Sequence, residues 1–98
     1  MRLEIRGGEL VSEIRRDRIA RRLGFALSRF GVRIATVRVR LADVNGPRGG
    51  SDKSCRMEVV GDRAWRLVVE DRDADFHAAI DRAAERAGRA VSRALHPR

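Results

Sequence analysis

The sequence predicts an α+β fold, a two-layer sandwich in which a four-stranded sheet carries both helices on one face. Apolar and polar residues alternate in four short segments, which is the period of a half-buried strand. In two longer segments the apolar residues recur every three or four positions, which is the period of a helical face. The order along the 98-residue chain is strand, helix, three strands, helix. Two amphipathic helices can together cover one apolar face of such a sheet.

The first half of the chain holds one helix between two strands. Met1–Arg6 alternates and ends at a Gly-Gly pair, and Arg33–Leu41 alternates again with arginines on one side. Between them, the spacing predicts a helix over Ser12–Phe30, with Ser12 as its N-cap and Gly31 as a left-handed stop. Because a helix connects these two strands, they could pair in parallel.

The second half contains a loop, a hairpin and the last helix. Asn-Gly, Gly-Pro and Gly-Gly pairs in Asp43–Ser54 predict a long loop. The third and fourth strands follow, joined by a turn at Gly61, so that the last three strands should form an antiparallel meander. The last helix runs over Asp73–Arg98, capped by Asp73 or Asp75. We expect one domain over residues 1–95 and a C-terminal tail over 96–98.

Charge indicates the kind of partner. Lys and Arg outnumber Asp and Glu by 22 to 14, which gives a formal net charge of +8, and Lys53 is the one lysine. The guanidinium group grips phosphate through a planar fork and stacks on bases, so this composition favours RNA. A GC-rich genome is an alternative explanation for arginine in place of lysine, but it does not explain the sign of the net charge.

Arginines recur on one side of each predicted helix, and like charges at this spacing repel one another unless an anion lies nearby. Further arginines lie on the open face of the second strand. Along the sequence they alternate with valines, which point to the opposite, apolar face. The predicted RNA contacts are Arg15, Arg18, Arg22 and Arg29, then Arg82, Arg86, Arg89 and Arg93, and finally Arg38 and Arg40 on the sheet. Arg48 and Lys53 in the glycine-rich loop are possible additional contacts.

Few residues in the sequence indicate catalysis, metal binding or nucleotide binding. Cys55 has no histidine near it and occupies an apolar-facing position, so we interpret it as a buried structural thiol. Two distant histidines, His77 and His96, do not make a metal site, and the glycine-rich loop lacks the Gly-Lys-Ser/Thr ending of a phosphate-binding loop. We therefore predict no catalytic residues, no metal, no cofactor and no small-molecule substrate. No signal peptide or membrane-spanning run is present, which favours the cytoplasm and no membrane partner.

The start of the last helix resembles a known family. Asp75-Phe-His-Ala-Ala-Ile-Asp81 is similar to the Asp-Met-Tyr-Ala-Ala-Ile-Asp signature of ribosome hibernation promoting factors, also called ribosome-associated inhibitors or sigma-54 modulation proteins. The Leu3-x-Ile5-x-Gly7 start, the aromatic end of the first helix at Phe30, and Arg33-Ile34 before alternating valines also resemble that family. The resemblance implies the fold above and binding to 16S rRNA in the decoding channel of the small ribosomal subunit. Such a protein sterically blocks mRNA and tRNA and performs no reaction.

The chain also departs from the family's pattern. His77 stands where the family usually has tyrosine, and the loop over residues 45–50 is longer and richer in glycine. The chain ends at Arg98, which corresponds to the short form without a dimerisation domain, so we expect a monomer when the protein is free. Two alternatives stay open: a general structured-RNA-binding module, and a basic domain that binds an acidic protein.

Overall fold

A computed structural model describes residues 1–44 and 52–96 and has the predicted element order. The strands are β1 (Arg2–Arg6), β2 (Ile34–Asp43), β3 (Lys53–Gly61) and β4 (Arg66–Asp73). The helices are α1 (Glu13–Leu27) and α2 (Phe76–Leu95). The two-layer α+β prediction is therefore confirmed.

The sheet has the order β1-β2-β3-β4. β1 pairs with β2 in parallel, and β2, β3 and β4 form the antiparallel meander that the sequence predicts. Residues paired across strands share a face, so the valines of β2 align with apolar residues of β1, β3 and β4. Val39, for example, lies between Ile5 and Met57 in register.

The core lies between this apolar face and the two helices. α1 contributes Ile19, Leu23 and Leu27, whereas α2 contributes mostly small residues such as Ala83 and Ala87, all of them buried. Small side chains let the helices approach closely. A Cβ added to Gly88 of α2 would lie 3.1 Å from the backbone oxygen of Ala26 in α1.

Both predicted helix caps are present. The hydroxyl of Ser12 accepts a hydrogen bond from the Arg15 amide at 3.2 Å, and the carboxylate of Asp75 accepts one from the His77 amide at 3.1 Å. The predicted end of the first helix at Phe30 was wrong. α1 ends at Leu27, and residues Ser28–Arg33 continue as a tighter 3-10 segment interrupted at Gly31, whose φ of 54° is left-handed.

The predicted loop over Asp43–Ser54 was too long at both ends. Asp43 ends β2, and Lys53 and Ser54 begin β3. Asp43 and Lys53 are cross-strand partners, and the Lys53 Nζ lies 2.7 Å from the Asp43 Oδ2. This ion pair lets the two strands continue through residues whose composition suggested a loop.

The turn between β3 and β4 packs under an indole ring. Trp65 is half-buried against the core, and a Cβ on Gly61 would lie only 1.8 Å from its ring. Position 61 therefore has no room for a side chain while the Trp65 ring stays in place. The Gly61 amide also donates to the Trp65 carbonyl oxygen at 2.7 Å, which closes the turn.

Candidate RNA-binding surface

The two helices are joined by one carboxylate. Asp81, the last residue of the family-like motif, receives Nε and Nη2 of Arg18 at 2.8 and 2.6 Å. The Arg22 Nε lies 3.1 Å from the same carboxylate. Hydrogen bonding from Arg18, followed by charge attraction from both arginines, lowers the pKa of Asp81. Two predicted RNA contacts thus also hold α1 against α2.

Beyond this ion pair, the two helices form an open groove. Its floor is built from the small residues Ala26, Ala84 and Gly88. Its rim holds Phe25, whose side chain is 89% exposed. The other rim residues are charged: Arg22, Arg29, Asp81, Glu85 and Arg89. An exposed aromatic ring among guanidinium groups is the combination that stacks on bases and pairs with phosphates.

On its other side, the arginine stripe of α2 reaches β4. Arg82 lies 2.9 Å from Asp71 and 2.8 Å from Asp73, and Arg86 lies 3.4 Å from Asp71. Arg82 donates hydrogen bonds to the carboxylates of Asp71 and Asp73, and these bonds raise the pKa of its guanidinium. The repulsion that the sequence predicts along this stripe is therefore reduced within the protein, before any external anion binds.

The remaining helix arginines differ in their surroundings. Arg89 Nη1 lies 2.5 Å from the Glu85 carboxylate one turn earlier. Arg15 donates to the Leu10 carbonyl oxygen at 3.0 Å, and its guanidinium lies 4.4 Å from the centre of the Phe76 ring. Arg29 lies over the Phe30 ring at 4.8 Å. Arg93 is exposed and has no carboxylate partner among residues 1–44 and 52–96.

The open face of the sheet carries a row of side chains with alternating charges. From β1 to β4 it consists of Arg2, Glu4, Arg38, Glu58 and Arg66. The Arg2–Glu4, Glu4–Arg38 and Arg38–Glu58 contacts measure 3.3, 3.4 and 3.0 Å, and Arg66 also pairs with Glu58. Hydrogen bonds from Arg38 and then Arg66 lower the pKa of Glu58. Arg38, a predicted contact, is thus held between two glutamates.

A second row on the same face is different. Arg6, Arg40 and Arg56 are register partners across β1, β2 and β3. All three are exposed, and within the described part of the chain none forms an ion pair. Glu70 is the next partner in register, but its carboxylate accepts a hydrogen bond from the Ser54 hydroxyl at 2.8 Å. Of this row, the sequence predicted Arg40 alone.

The structure thus assembles part of the predicted set and separates the rest. Arg22, Arg29 and Arg89 line one groove, Arg82 and Arg86 lie beside β4, and Arg38 and Arg40 occupy the opposite layer. Lys53 is in a strand rather than a loop, and Arg48 lies outside the described residues. Phe25, Arg6 and Arg56 were missed. Phe25 follows Arg22 by three positions and precedes Arg29 by four, so helical periodicity could have placed it beside the stripe.

The side-chain types that can perform chemistry have structural surroundings. Cys55 is buried in the core, and burial raises the pKa of its thiol to about 12. Within the described ranges, no three His, Cys, Asp or Glu side chains gather as metal ligands would. Neither helix is long and apolar enough to cross a membrane.

Comparison with known proteins gives the family. The model of the sigma-54 modulation protein / S30EA ribosomal protein family matches residues 7–96. The crystal structure of the Thermus thermophilus Protein Y N-terminal domain superposes with a TM-score of 0.70 at 28% identity, covering 95% of this chain and 98% of that one. No curated protein matches.

A ribosomal subunit interface protein from Coxiella burnetii has the same fold, with a TM-score of 0.77 over 97% of this chain and 98% of the other, at 12% identity. Because the family consists of ribosome-associated factors without enzymatic activity, its match also confirms the prediction that this chain is not an enzyme. The chain therefore belongs to the sigma-54 modulation protein / S30EA ribosomal protein family, whose members are ribosome-associated hibernation and subunit-interface factors.

Proposed function

We propose that this protein binds 16S rRNA in the decoding channel of the small ribosomal subunit and sterically blocks mRNA and tRNA. It acts in the cytoplasm, as a monomer when free, and needs no cofactor. The groove between the helices carries this proposal, because it combines the exposed Phe25 ring with the guanidinium groups of Arg22, Arg29 and Arg89. A partner that offers both unstacked bases and phosphates matches this groove, and folded rRNA offers both.

The arrangement also supports a steric mechanism. The two helices are fixed to each other by Arg18 and Asp81, and α2 is fixed to β4 by Arg82. A body whose layers are joined in this way presents its cationic groups without first ordering them, so less conformational entropy is lost on binding. An inhibitor that only has to occupy space needs this rigidity more than it needs reactive groups.

The test is co-sedimentation of the purified protein with small subunits and whole ribosomes, at low and moderate salt, with and without prebound tRNA. We expect binding that salt weakens, because each neutralised phosphate contributes a slope of about 0.7 to 0.9 in log K against log salt. We also expect tRNA to block it. Equal binding with and without tRNA contradicts the channel location.

Two variants identify the surface. Arg29→Glu reverses a charge on the groove rim, and Arg63→Glu makes the same change in the β3–β4 turn, where the side chain is exposed. We expect Arg29→Glu to weaken ribosome binding and Arg63→Glu to leave it close to wild type. Equal losses for both would indicate general attraction to polyanions, as in a general RNA-binding module. Complexes that form in extracts without ribosomes and survive nuclease would indicate an acidic protein partner.

A further inference from the structure

We propose that Arg6, Arg40 and Arg56 form a second phosphate-binding site, on the open face of the sheet, which holds the backbone of another RNA segment while the helices bind the first. The inference rests on the proposed function only in taking RNA as the partner. It adds a second contact surface on the layer opposite the helix groove.

The contrast between two rows of one sheet face is the first argument. In the row of Glu4, Arg38 and Glu58, opposite charges alternate and are in contact. The neighbouring row on the same face places three like charges side by side, those of Arg6, Arg40 and Arg56. Directly opposite like charges destabilise a sheet. The fold thus neutralises one row and leaves the next without an ion pair in residues 1–44 and 52–96.

Among the described residues, one carboxylate, that of Glu70, is in register with the three guanidinium groups of this row. The undescribed stretch over residues 45–51 reads Asn-Gly-Pro-Arg-Gly-Gly-Ser and contains no acidic residue. Glu70, in register with Arg56, accepts a hydrogen bond from Ser54 instead. Two residues further along β4, Arg72 is in register with Ser54 and adds another exposed guanidinium to this end of the face. An anion from outside the chain is therefore the complement that this end of the sheet lacks.

Shape and side-chain type favour a nucleic-acid backbone over an acidic protein. Adjacent strands lie about 4.8 Å apart, so the row extends for about 10 Å and matches a succession of charges rather than one ion. Guanidinium groups bind phosphate oxygens two at a time. Stable protein interfaces have an apolar centre, whereas Arg6, Arg38, Arg40, Arg56 and Glu58 surround the shallow groove here. Val68, an exposed apolar residue on this face, lies beside Glu58 in the other row.

The first experiment uses the free 98-residue protein with inorganic phosphate as probe. The melting temperature is measured at low salt, with and without phosphate, for wild type, Arg40→Gln and Arg63→Gln. Because Arg40→Gln removes the central like charge, we expect it to raise the melting temperature at low salt, with the gain disappearing at high salt. We expect phosphate to raise the melting temperature of wild type and Arg63→Gln more than that of Arg40→Gln. Equal phosphate shifts for all three overturn the site.

The second experiment tests RNA and stoichiometry. A limiting amount of protein is mixed with an excess of one short single-stranded RNA, half carrying an energy-transfer donor and half an acceptor. We expect wild type to bring donor and acceptor together. The sheet variant Arg40→Gln/Arg56→Gln should bind one RNA without energy transfer, and so should the helix variant Arg29→Glu. For the sheet variant, the slope of log K against log salt should fall by about 1.4 to 1.8. Its affinity for a second RNA should fall by about tenfold or more.

The outcomes separate this inference from the proposed function. If wild type binds a single RNA, or if the sheet variant transfers energy like wild type, the second site is wrong while ribosome co-sedimentation can still succeed. If phosphate stabilises the protein but the RNA stoichiometry stays at one, the row takes small anions and the RNA inference is wrong. If the second site works but tRNA does not compete on ribosomes, the channel proposal fails alone.

Discussion

Arg18 and Asp81 form a two-point ion pair between α1 and α2, with Nε–Oδ1 at 2.8 Å and Nη2–Oδ2 at 2.6 Å. Both side chains are about one quarter exposed, at 26% and 27%. Two parallel N–H···O bonds fix orientation as well as distance. The last residue of the Ala-Ala-Ile-Asp motif therefore sets how the two helices lie against each other.

We expect Asp81→Asn to lower the free energy of unfolding by about 1 to 2 kcal/mol, because Arg18 and Arg22 then lose their shared anion. Urea unfolding of the variant and wild type measures the difference. Glu85→Gln is the control, since Glu85 pairs with Arg89 within α2, is 68% exposed and joins no second element. A loss as large for Glu85→Gln contradicts a special role for the helix-to-helix pair.

Acid should weaken the fold through the same carboxylate. Hydrogen bonding from Arg18 lowers the pKa of Asp81 in the folded state, so the pair contributes its full stability above the unfolded pKa, about 3.9. That contribution is lost as the pH falls through the lowered folded pKa. Glu58 and Asp73 also have lowered pKa values, through Arg38 and Arg82 respectively, and add to the effect. Melting temperatures between pH 6 and about 2.5 should fall more steeply for wild type than for Asp81→Asn.

Phe25→Ala should weaken ribosome binding by about 5- to 150-fold while leaving stability nearly unchanged. The ring is 89% exposed, so little packing is lost, whereas stacking on one base contributes about 1 to 3 kcal/mol. Phe25→Trp should retain binding because it keeps an aromatic face. Val32→Ala is the matched control, since Val32 is 87% exposed and apolar but lies outside the helix groove. Unchanged binding by Phe25→Ala argues against a stacking role.

Two glycine substitutions should have different effects. A Cβ on Gly24 meets nothing within 4 Å, so Gly24→Ala in α1 should raise the free energy of unfolding by about 0.5 to 1 kcal/mol through helix propensity. A Cβ on Gly88 would lie 3.1 Å from the Ala26 oxygen and 3.3 Å from its Cβ. Gly88→Ala should therefore gain less than Gly24→Ala, or destabilise. Thermal and urea unfolding compare the two, and equal gains would show that the helices separate without cost.

Cys55 should react with thiol reagents only when the protein unfolds. Its side chain is fully buried, and burial raises the pKa of the thiol to about 12, so almost no thiolate forms at pH 8. The labelling rate with a maleimide, measured against urea concentration, should follow the unfolding transition. Rapid labelling of the folded protein at pH 8 contradicts this expectation.

The fold could largely be predicted because its signals are local. Alternation and helical spacing lie within each element, and the caps at Ser12 and Asp75 are two or three residues from the amides that they bind. The predictions failed where a distant partner decides the outcome. Lys53 joins a strand because Asp43 pairs with it across the sheet.

In the candidate site, too, local signals could be predicted and partners distant in sequence could not. Helical spacing predicted one arginine stripe on each helix, but it could not show that Asp71 and Asp73 on β4 pair with Arg82. The row of Arg6, Arg40 and Arg56 depends on the register of three strands, and that register is set by packing rather than by any one segment.

The Asp43–Lys53 ion pair has a consequence for covalent regulation. Acetylation, the modification that cancels lysine charge, has a single lysine to act on in this sequence. Lys53 is 22% exposed, and the hydrogen bond to Asp43 raises the pKa of its ammonium, so the neutral amine that attacks an acyl donor is scarce. The arginines that supply the other positive charges do not react in this way. A cell that acetylates its proteins heavily would therefore leave the net charge of this protein almost unchanged.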